Sequence, residues 1–347
     1  MNGRARVEAL VASARHVAHG ASELGRRARR LLVESTGLSP ENIEWSLREA
    51  LETSPSAAEL AALLASVEPA RAAHVLLPAN VFVAAHRALA LALAASPVVR
   101  VRASRREPHF ARLLLEGAPG LFELVDAIAP EPGEHVFAYG SDTTLAAVRA
   151  SVPPGATLHA HGSGFGIAVV DALHAAAKAA RALALDIAAF DQRGCLSPRV
   201  GFVLGEGAAA ARFAALLAEA LAEHARRVPL GRLDDAERAD NVRFRDTAIY
   251  AGPLLAAGPG SVCVSEGAAL IAPAGRNLCV VPARELARVL AEVDASLVTA
   301  VGVAGSETLA LDIARALPSA RLSELGRMQR PAFDGPADRR AALPLVP

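Results

Sequence analysis

Cys195 lies in the run Phe190-Asp191-Gln192-Arg193-Gly194-Cys195-Leu196-Ser197-Pro198, a thiol behind a glycine-containing turn in polar company. Backbone dipoles at such a turn, together with Arg193, favour the thiolate, the form that attacks a carbonyl carbon. The other cysteines, Cys263 in Ser261-Val262-Cys263-Val264 and Cys279 in Leu278-Cys279-Val280, lie in apolar strands and read as packing. One thiol is expected to react and two to fill the core.

Further clusters bear on an anionic ligand. Val99-Arg100-Val101-Arg102-Ala103-Ser104-Arg105-Arg106 is a strand running into arginines and a serine. Guanidinium forks there suit a phosphate, such as the 2′-phosphate of NADP or the 3′-phosphate of CoA; the plain alternative is a solvated strand end. Tyr139-Gly140-Ser141-Asp142-Thr143-Thr144 ends a strand and opens a helix, whose first N–H groups face a pyrophosphate or simply belong to an ordinary capped helix. Gly162-Ser163-Gly164-Phe165-Gly166 mimics a dinucleotide fingerprint, opening a helix with Asp186 20 residues beyond. Asp186 falls inside that helix, out of reach of a ribose, so the glycines read instead as a tight turn or a close backbone approach. No P-loop sequence occurs.

Elements that position these groups follow from periodicity. Residues 1–66 read as helices, and Ser39-Pro40-Glu41 supplies an N-cap followed by proline at the first helical position. From His74 short apolar runs (74–77, 98–101, 135–138, 157–160) alternate with helical stretches (81–95, 107–116, 142–150), the pattern of a parallel sheet covered on both faces. A long helix is expected over 167–190, and the alternation resumes after Cys195. The Pro153-Pro154-Gly155 turn marks a boundary. The expected domains are 1–155, a helical N-terminal segment with a nucleotide-binding α/β domain; 156–325, a catalytic α/β domain carrying Cys195; and 326–347, an irregular tail.

A chain of 347 residues accommodates two medium domains. With 36 basic and 36 acidic residues it has no net field to attract nucleic acid or an anionic membrane surface. Three cysteines, at spacings of neither a disulfide framework nor a zinc site, predict a reducing cytoplasm and no metal. No signal peptide is expected at the N-terminus, and the most apolar stretch, 84–99, is interrupted by His86, Arg87 and Pro97, which argues against a membrane span.

Over residues 74–335 these landmarks resemble the aldehyde dehydrogenase superfamily, and within it the fatty-acyl-CoA reductases of the LuxC type. The resemblance rests on Pro78-Ala79-Asn80-Val81, Tyr139-Gly140-Ser141-Asp142, His161-Gly162 with its turn, Asp191 to Pro198, and Gly326-Arg327-Met328-Gln329 followed by Pro331 and Asp334-Gly335. It implies an aldehyde-dehydrogenase-like fold of two open α/β domains with parallel-rich sheets, NADPH with NADH as the alternative, an acyl-CoA or similar thioester as substrate, and self-association into a homo-oligomer. It implies Cys195 as nucleophile and Asn80 as the amide of the oxyanion hole. Gly140 and Ser141 match the Gly-Ser facing the cofactor pyrophosphate; Arg102 and Ser104 match a Lys-Pro-Ser-like segment at the adenosine ribose, with arginine and alanine replacing lysine and proline.

Where hydrolytic relatives carry the water-activating glutamate of Glu-Leu-Gly-Gly, this chain has Leu158-His159-Ala160-His161-Gly162. Loss of that base suits exchange of the acyl group with a thiol such as CoA, with His161 as proton donor or orienting group. The glutamate that contacts the nicotinamide ribose in the wider superfamily has Glu266 as a counterpart by position alone. Two other classes stay open: a cofactor-independent Cys/His acyltransferase or thioesterase, and a nonenzymatic relative of the fold.

Overall fold

The computed structural model describes residues 1–174 and 176–340. They form two compact units, Met1–Ser163 with Ala332–Ala337, and Gly164–Pro331 with Asp338–Arg340.

The first unit opens with helices α1 (Gly3–Ala18), α2 (Glu23–Thr36), α3 (Pro40–Trp45) and α4 (Ala57–Ala65). Each start is marked by a polar cap: the Asn2, Ser22, Ser39 and Ser56 side chains accept N–H groups of the first turn, and Ser56 forms a capping box with Glu59. Then follow β1 (Ala73–Leu76), α5 (Ala84–Ala95), β2 (Val99–Arg102), α6 (His109–Gly117), β3 (Glu123–Leu124), β4 (His135–Tyr139), α7 (Asp142–Ser151) and β5 (Thr157–His161). The five strands make a parallel sheet in the order β3-β2-β1-β4-β5. Leu76, Val136, Ala138, Leu145 and Val148 bury one core cluster of this unit, where α7 meets the sheet. Helix α1 packs on α5 and α6, where the Ser13 hydroxyl donates to the Leu114 carbonyl at 2.6 Å; small residues let these helices approach closely.

The second unit runs β6 (Phe165–Asp171), α8 (Ala176–Ala188), β7 (Pro198–Leu204), α9 (Gly207–Arg227), α10 (Asp235–Ala251), β8 (Leu254–Ala257), β9 (Gly260–Val264), β10 (Leu278–Ala283), α11 (Leu286–Ala291), β11 (Val298–Ala304), α12 (Glu307–Ala316) and β12 (Arg321–Glu324). Its seven strands are ordered β12-β11-β6-β7-β10-β9-β8, parallel except where β8 runs against β9. Ile167, Val169, Val200, Phe202 and Val301 are among the residues of its core. The α/β architecture with parallel-rich sheets is as the sequence predicts.

Three local expectations are corrected. The helix over 167–190 is a strand followed by a helix: β6 pairs with both β7 and β11, burying the β-branched Ile167, Val169 and Val170, and only α8 continues the alanine-rich segment. The break between units falls at Ser163, beyond the Pro153-Pro154-Gly155 turn, because β5 pairs with β4 in the first sheet. The glycines of 162–166 open strand β6 and not a helix. Close approach explains them: a Cβ at Gly164 would lie 2.6 Å from the Thr299 methyl, and one at Gly166 would lie 2.5 Å from the Leu196 carbonyl oxygen. The tail is irregular as far as it is described, yet Met328 and Phe333 are fully buried; residues 341–347 lie outside the described residues.

Candidate active site

In the first unit the expected ligand-facing residues converge on one edge of one sheet. Asn80 follows β1, Arg102 ends β2 with Ser104 just beyond, Gly140 and Ser141 follow β4, and His161 ends β5. The register pairs Leu76 with Arg102 on one side and with Ala138 on the other, and Tyr139 with His161, so all these groups sit at the carboxyl ends of parallel strands. The chain adds β2 and β3 to one side of β1 and then β4 and β5 to the other. That reversal is a topological switch point, where open α/β sheets leave a crevice for a ligand, and Asn80 and Gly140-Ser141 flank it.

Local chemistry fits an anion there. Ser141 is the N-cap of α7, its hydroxyl accepting the Thr144 N–H at 3.3 Å, so the remaining N–H groups and the positive end of the helix dipole sit at the strand end. Asp142 uses a carboxylate oxygen to accept the Ser163 N–H at 3.0 Å, tying the turn after β5 to the start of α7. Ser104 accepts the Arg106 N–H at 3.2 Å, which shapes the arginine-bearing turn after β2. His161 stacks on Tyr139 with ring centroids 4.6 Å apart, and His159 on Phe137 at 4.5 Å. Burial first, then the charges of His135 and His161, lower the His159 pKa to about 4.

In the second unit Cys195 lies on the turn into β7 and is half-buried. The segment before it is unusual: Phe190, Asp191 and Gln192 take left-handed backbone with φ of 52°, 51° and 66°. Such a conformation costs about 1–2 kcal/mol per non-glycine residue and persists only where its surroundings over-determine it. Here they do. Asp191 accepts from Arg276 at 2.7 and 3.1 Å and from the Gly231 N–H at 2.9 Å. The Gln192 amide donates to the Pro198 and Asn277 carbonyls at 2.7 and 2.6 Å, and its oxygen accepts the Asn277 N–H at 2.9 Å. Arg193 forks onto Glu237 at 2.7 and 3.0 Å and also reaches the Arg232 carbonyl at 2.8 Å.

This corrects the expected role of Arg193. Its charge is committed to Glu237, so it anchors the turn to α10 rather than lowering the thiol pKa. Burial pushes the Cys195 thiol up to about 11; Asp338 adds to the rise, while Arg340 and the N–H groups of Cys195 and Leu196 oppose it. The resting cysteine is therefore a protonated thiol, contrary to the expectation from its polar company. Cys263 and Cys279 are fully buried and face each other in register on β9 and β10, as core thiols.

Glu266 lies apart from the cysteine turn. It follows β9, and β9, β10 and β7 are parallel, so it lies at the carboxyl edge of the second sheet, next to Gly207 at the start of α9. Cys195 precedes the opposite edge, a strand length of roughly 20 Å away at about 3.3 Å per residue. Asp186 is inside α8 as expected, where it accepts the N–H groups of Gly326 at 2.5 Å and Met328 at 3.0 Å. Burial pushes its pKa up to about 7.

Residues that sequence reasoning missed are those supporting the cysteine turn, Arg276, Asn277 and Glu237, and the pair Asp338 and Arg340 near the thiol. Arg276 and Asn277 carry one signal, polar residues immediately before an apolar strand; the pair in the tail carries none. Among the described residues no group of three or more His, Cys, Asp or Glu is placed to hold a metal ion, and no helix is long and apolar enough to cross a membrane.

A parallel sheet with a switch point and a second, parallel-rich sheet with a cysteine turn make up the aldehyde dehydrogenase fold. The chain is similar over 93% of its length to 78% of an oxidoreductase from Marinobacter aquaeolei, with a TM-score of 0.73 at 14% identity. It is similar over 93% to 76% of aldehyde dehydrogenase C from Pseudomonas syringae, a mutant solved with NAD+ and octanal, with a TM-score of 0.70 at 17% identity. In proline utilization A from Bradyrhizobium japonicum it matches 39% of that chain with 96% of its own, at a TM-score of 0.70 and 19% identity. No curated protein matches the chain by sequence. The acyl-CoA reductase (LuxC) family matches residues 38–343, and the chain belongs to that family.

Proposed function

We propose that the chain reduces an acyl-CoA thioester to an aldehyde, with NADPH or NADH as reductant, through a covalent thioester on Cys195. The observation that carries this reading is the Cys195 turn, in which the side chains of Asp191, Gln192 and Arg193 are each held by hydrogen bonds, in a chain of the acyl-CoA reductase family. That immobility is what a nucleophile needs to be held in an attacking geometry.

The sulfur attacks the thioester carbonyl carbon; the new carbon–sulfur bond forms as the bond to CoA breaks, and CoA leaves with the thiol proton. The Cys195 N–H donates to the oxygen that gains charge; the match of Asn80 to the family motif is what nominates its amide as a second donor. Removing one such donor typically costs about 10²–10³ in rate. A bound nicotinamide would supply the hydride, which with a proton converts the acyl group to aldehyde and returns Cys195 to the thiol. The Ser141-capped start of α7 and the switch-point crevice fit the pyrophosphate of such a cofactor, and Arg102 with Ser104 would hold the adenosine ribose or its 2′-phosphate. His161 serves as proton donor or orienting group. Strand β5 bears no carboxylate to activate water, which favours CoA over water as the partner of the acyl group.

Measuring CoA release with and without NADPH or NADH tests this function. One equivalent released per Cys195, followed by turnover only when reductant is added, is expected. Continuous release without reductant would make the protein a Cys/His acyltransferase or thioesterase, and no release with any thioester would make it a nonenzymatic relative of the fold.

A further inference from the structure

Beside the cysteine turn the C-terminal segment supplies a buried ion pair that the reaction as written does not use. Arg340 donates through Nε to one Asp338 oxygen at 2.9 Å and through Nη2 to the other at 2.7 Å, and both side chains are only 8% exposed. Its Nη1 donates to the Ser296 carbonyl at 2.7 Å. The guanidinium lies so close over Gly164 that a Cβ there would meet Nη2 at 2.7 Å and the Thr299 methyl at 2.6 Å. The Thr299 hydroxyl in turn donates to the carbonyl of Cys195 itself. Arg340, Gly164, Thr299 and Cys195 are thus contiguous within one unit.

A buried ion pair is weak evidence for stability, since apolar residues of the same volume often serve as well. Its place against a half-buried thiol gives it another use. Among the described residues the charged groups that act on the thiol are Asp338 and Arg340 from the tail and Arg199 from β7, and Arg199 itself faces Glu237. We propose that Asp338 and Arg340 are positioning residues that set the reactivity of Cys195 by opposed charge, Arg340 favouring the thiolate and Asp338 restraining it. The inference rests on Cys195 being the nucleophile. Burial keeps the resting thiol protonated, and Asp338 outweighs Arg340 in the same direction; any ligand group that draws Asp338 away leaves Arg340 to stabilise the sulfur as it loses its proton.

Alkylation of Cys195 in the full chain by iodoacetamide, followed by peptide mass spectrometry across pH, tests this. Asp338→Asn should lower the alkylation midpoint and Arg340→Gln should raise it, each by about one pH unit, or roughly tenfold in rate at a pH below both midpoints. The double variant should return toward the wild-type profile, and Arg340→Lys should keep it. A merely structural pair would move both single variants in the same direction, and that result, or no movement in either, would overturn the proposal. The buried Cys263 and Cys279 report folding in the same experiment, because they alkylate only if the chain opens. Should Arg340→Gln unfold, the comparison of Asp338→Asn with Arg340→Lys decides: a lowered midpoint beside an unchanged one supports the proposal, and two equal midpoints refute it. Alkylation needs no acyl group, so a thiol that fails to accept an acyl chain would refute the proposed reaction while leaving the alkylation midpoints to judge the pair.

Discussion

Asp191 and Arg276, both buried, meet through two hydrogen bonds of 2.7 and 3.1 Å to a single carboxylate oxygen, and both stand in left-handed backbone, with φ of 51° and 68°. Each residue holds the other in a conformation that neither favours alone. The pair ties the segment entering the cysteine turn to the segment entering β10.

Breaking that pair strands a buried charge. Arg276→Met or Asp191→Ala is expected to cost about 3–5 kcal/mol of stability, the range for removing one partner of a buried ion pair. Urea unfolding of each variant against wild type measures it. A loss below about 1 kcal/mol, the scale of an exposed pair, would show that the turn is held by its backbone alone.

Asp186 makes stability depend on pH. Its pKa rises from 3.8 to about 7 on folding, so its contribution is greatest when it is protonated, below pH 3.8, and is lost as pH rises through about 7. Each pH unit between those two values corresponds to about 1.4 kcal/mol, which makes the span a few kcal/mol. Asp186→Asn keeps a carbonyl acceptor for one of the Gly326 and Met328 N–H groups and cannot ionise. Its urea midpoint should therefore fall less than that of wild type between pH 5 and pH 8. Parallel pH profiles for the two proteins would rule out this source of pH dependence.

Arg102 ends β2 at the edge where the cofactor is proposed to bind. Arg102→Ala should weaken NADPH by roughly ten- to a hundredfold, the scale of one charge-assisted hydrogen bond of about 1.5–3 kcal/mol, while NADH changes little. Titration of cofactor fluorescence reads both affinities. Equal losses for the two cofactors would move Arg102 away from the 2′-phosphate.

Much of the architecture is legible in the chain. Alternation of short apolar runs with alanine-rich stretches points to the parallel sheets, and Asp186 reads correctly as a helical residue away from any ribose. The stretch 167–190 misleads because a strand buried on both faces shows no period of two. Ile167-Ala168-Val169-Val170 followed by alanines has the texture of a buried helix, and only pairing with β7 and β11 distinguishes the two. Arg193 misleads for a different reason. Its neighbourhood in sequence is polar, but its partner Glu237 is 44 residues away, so the cancellation of its charge is a tertiary fact. Asp338 and Arg340 are hidden by a still greater separation from Cys195, in a proline-rich tail without periodicity.

The acyl adduct on Cys195 is the most direct test. Intact-mass spectrometry of the protein incubated with a panel of acyl-CoAs should find a single added acyl group, absent from Cys195→Ala, mapping to the peptide that contains Cys195, and discharged as aldehyde when NADPH or NADH is added. A Cys195→Ala protein that still reduces acyl-CoA to aldehyde, or a wild-type protein that carries no acyl group on Cys195 with any thioester, would contradict the account.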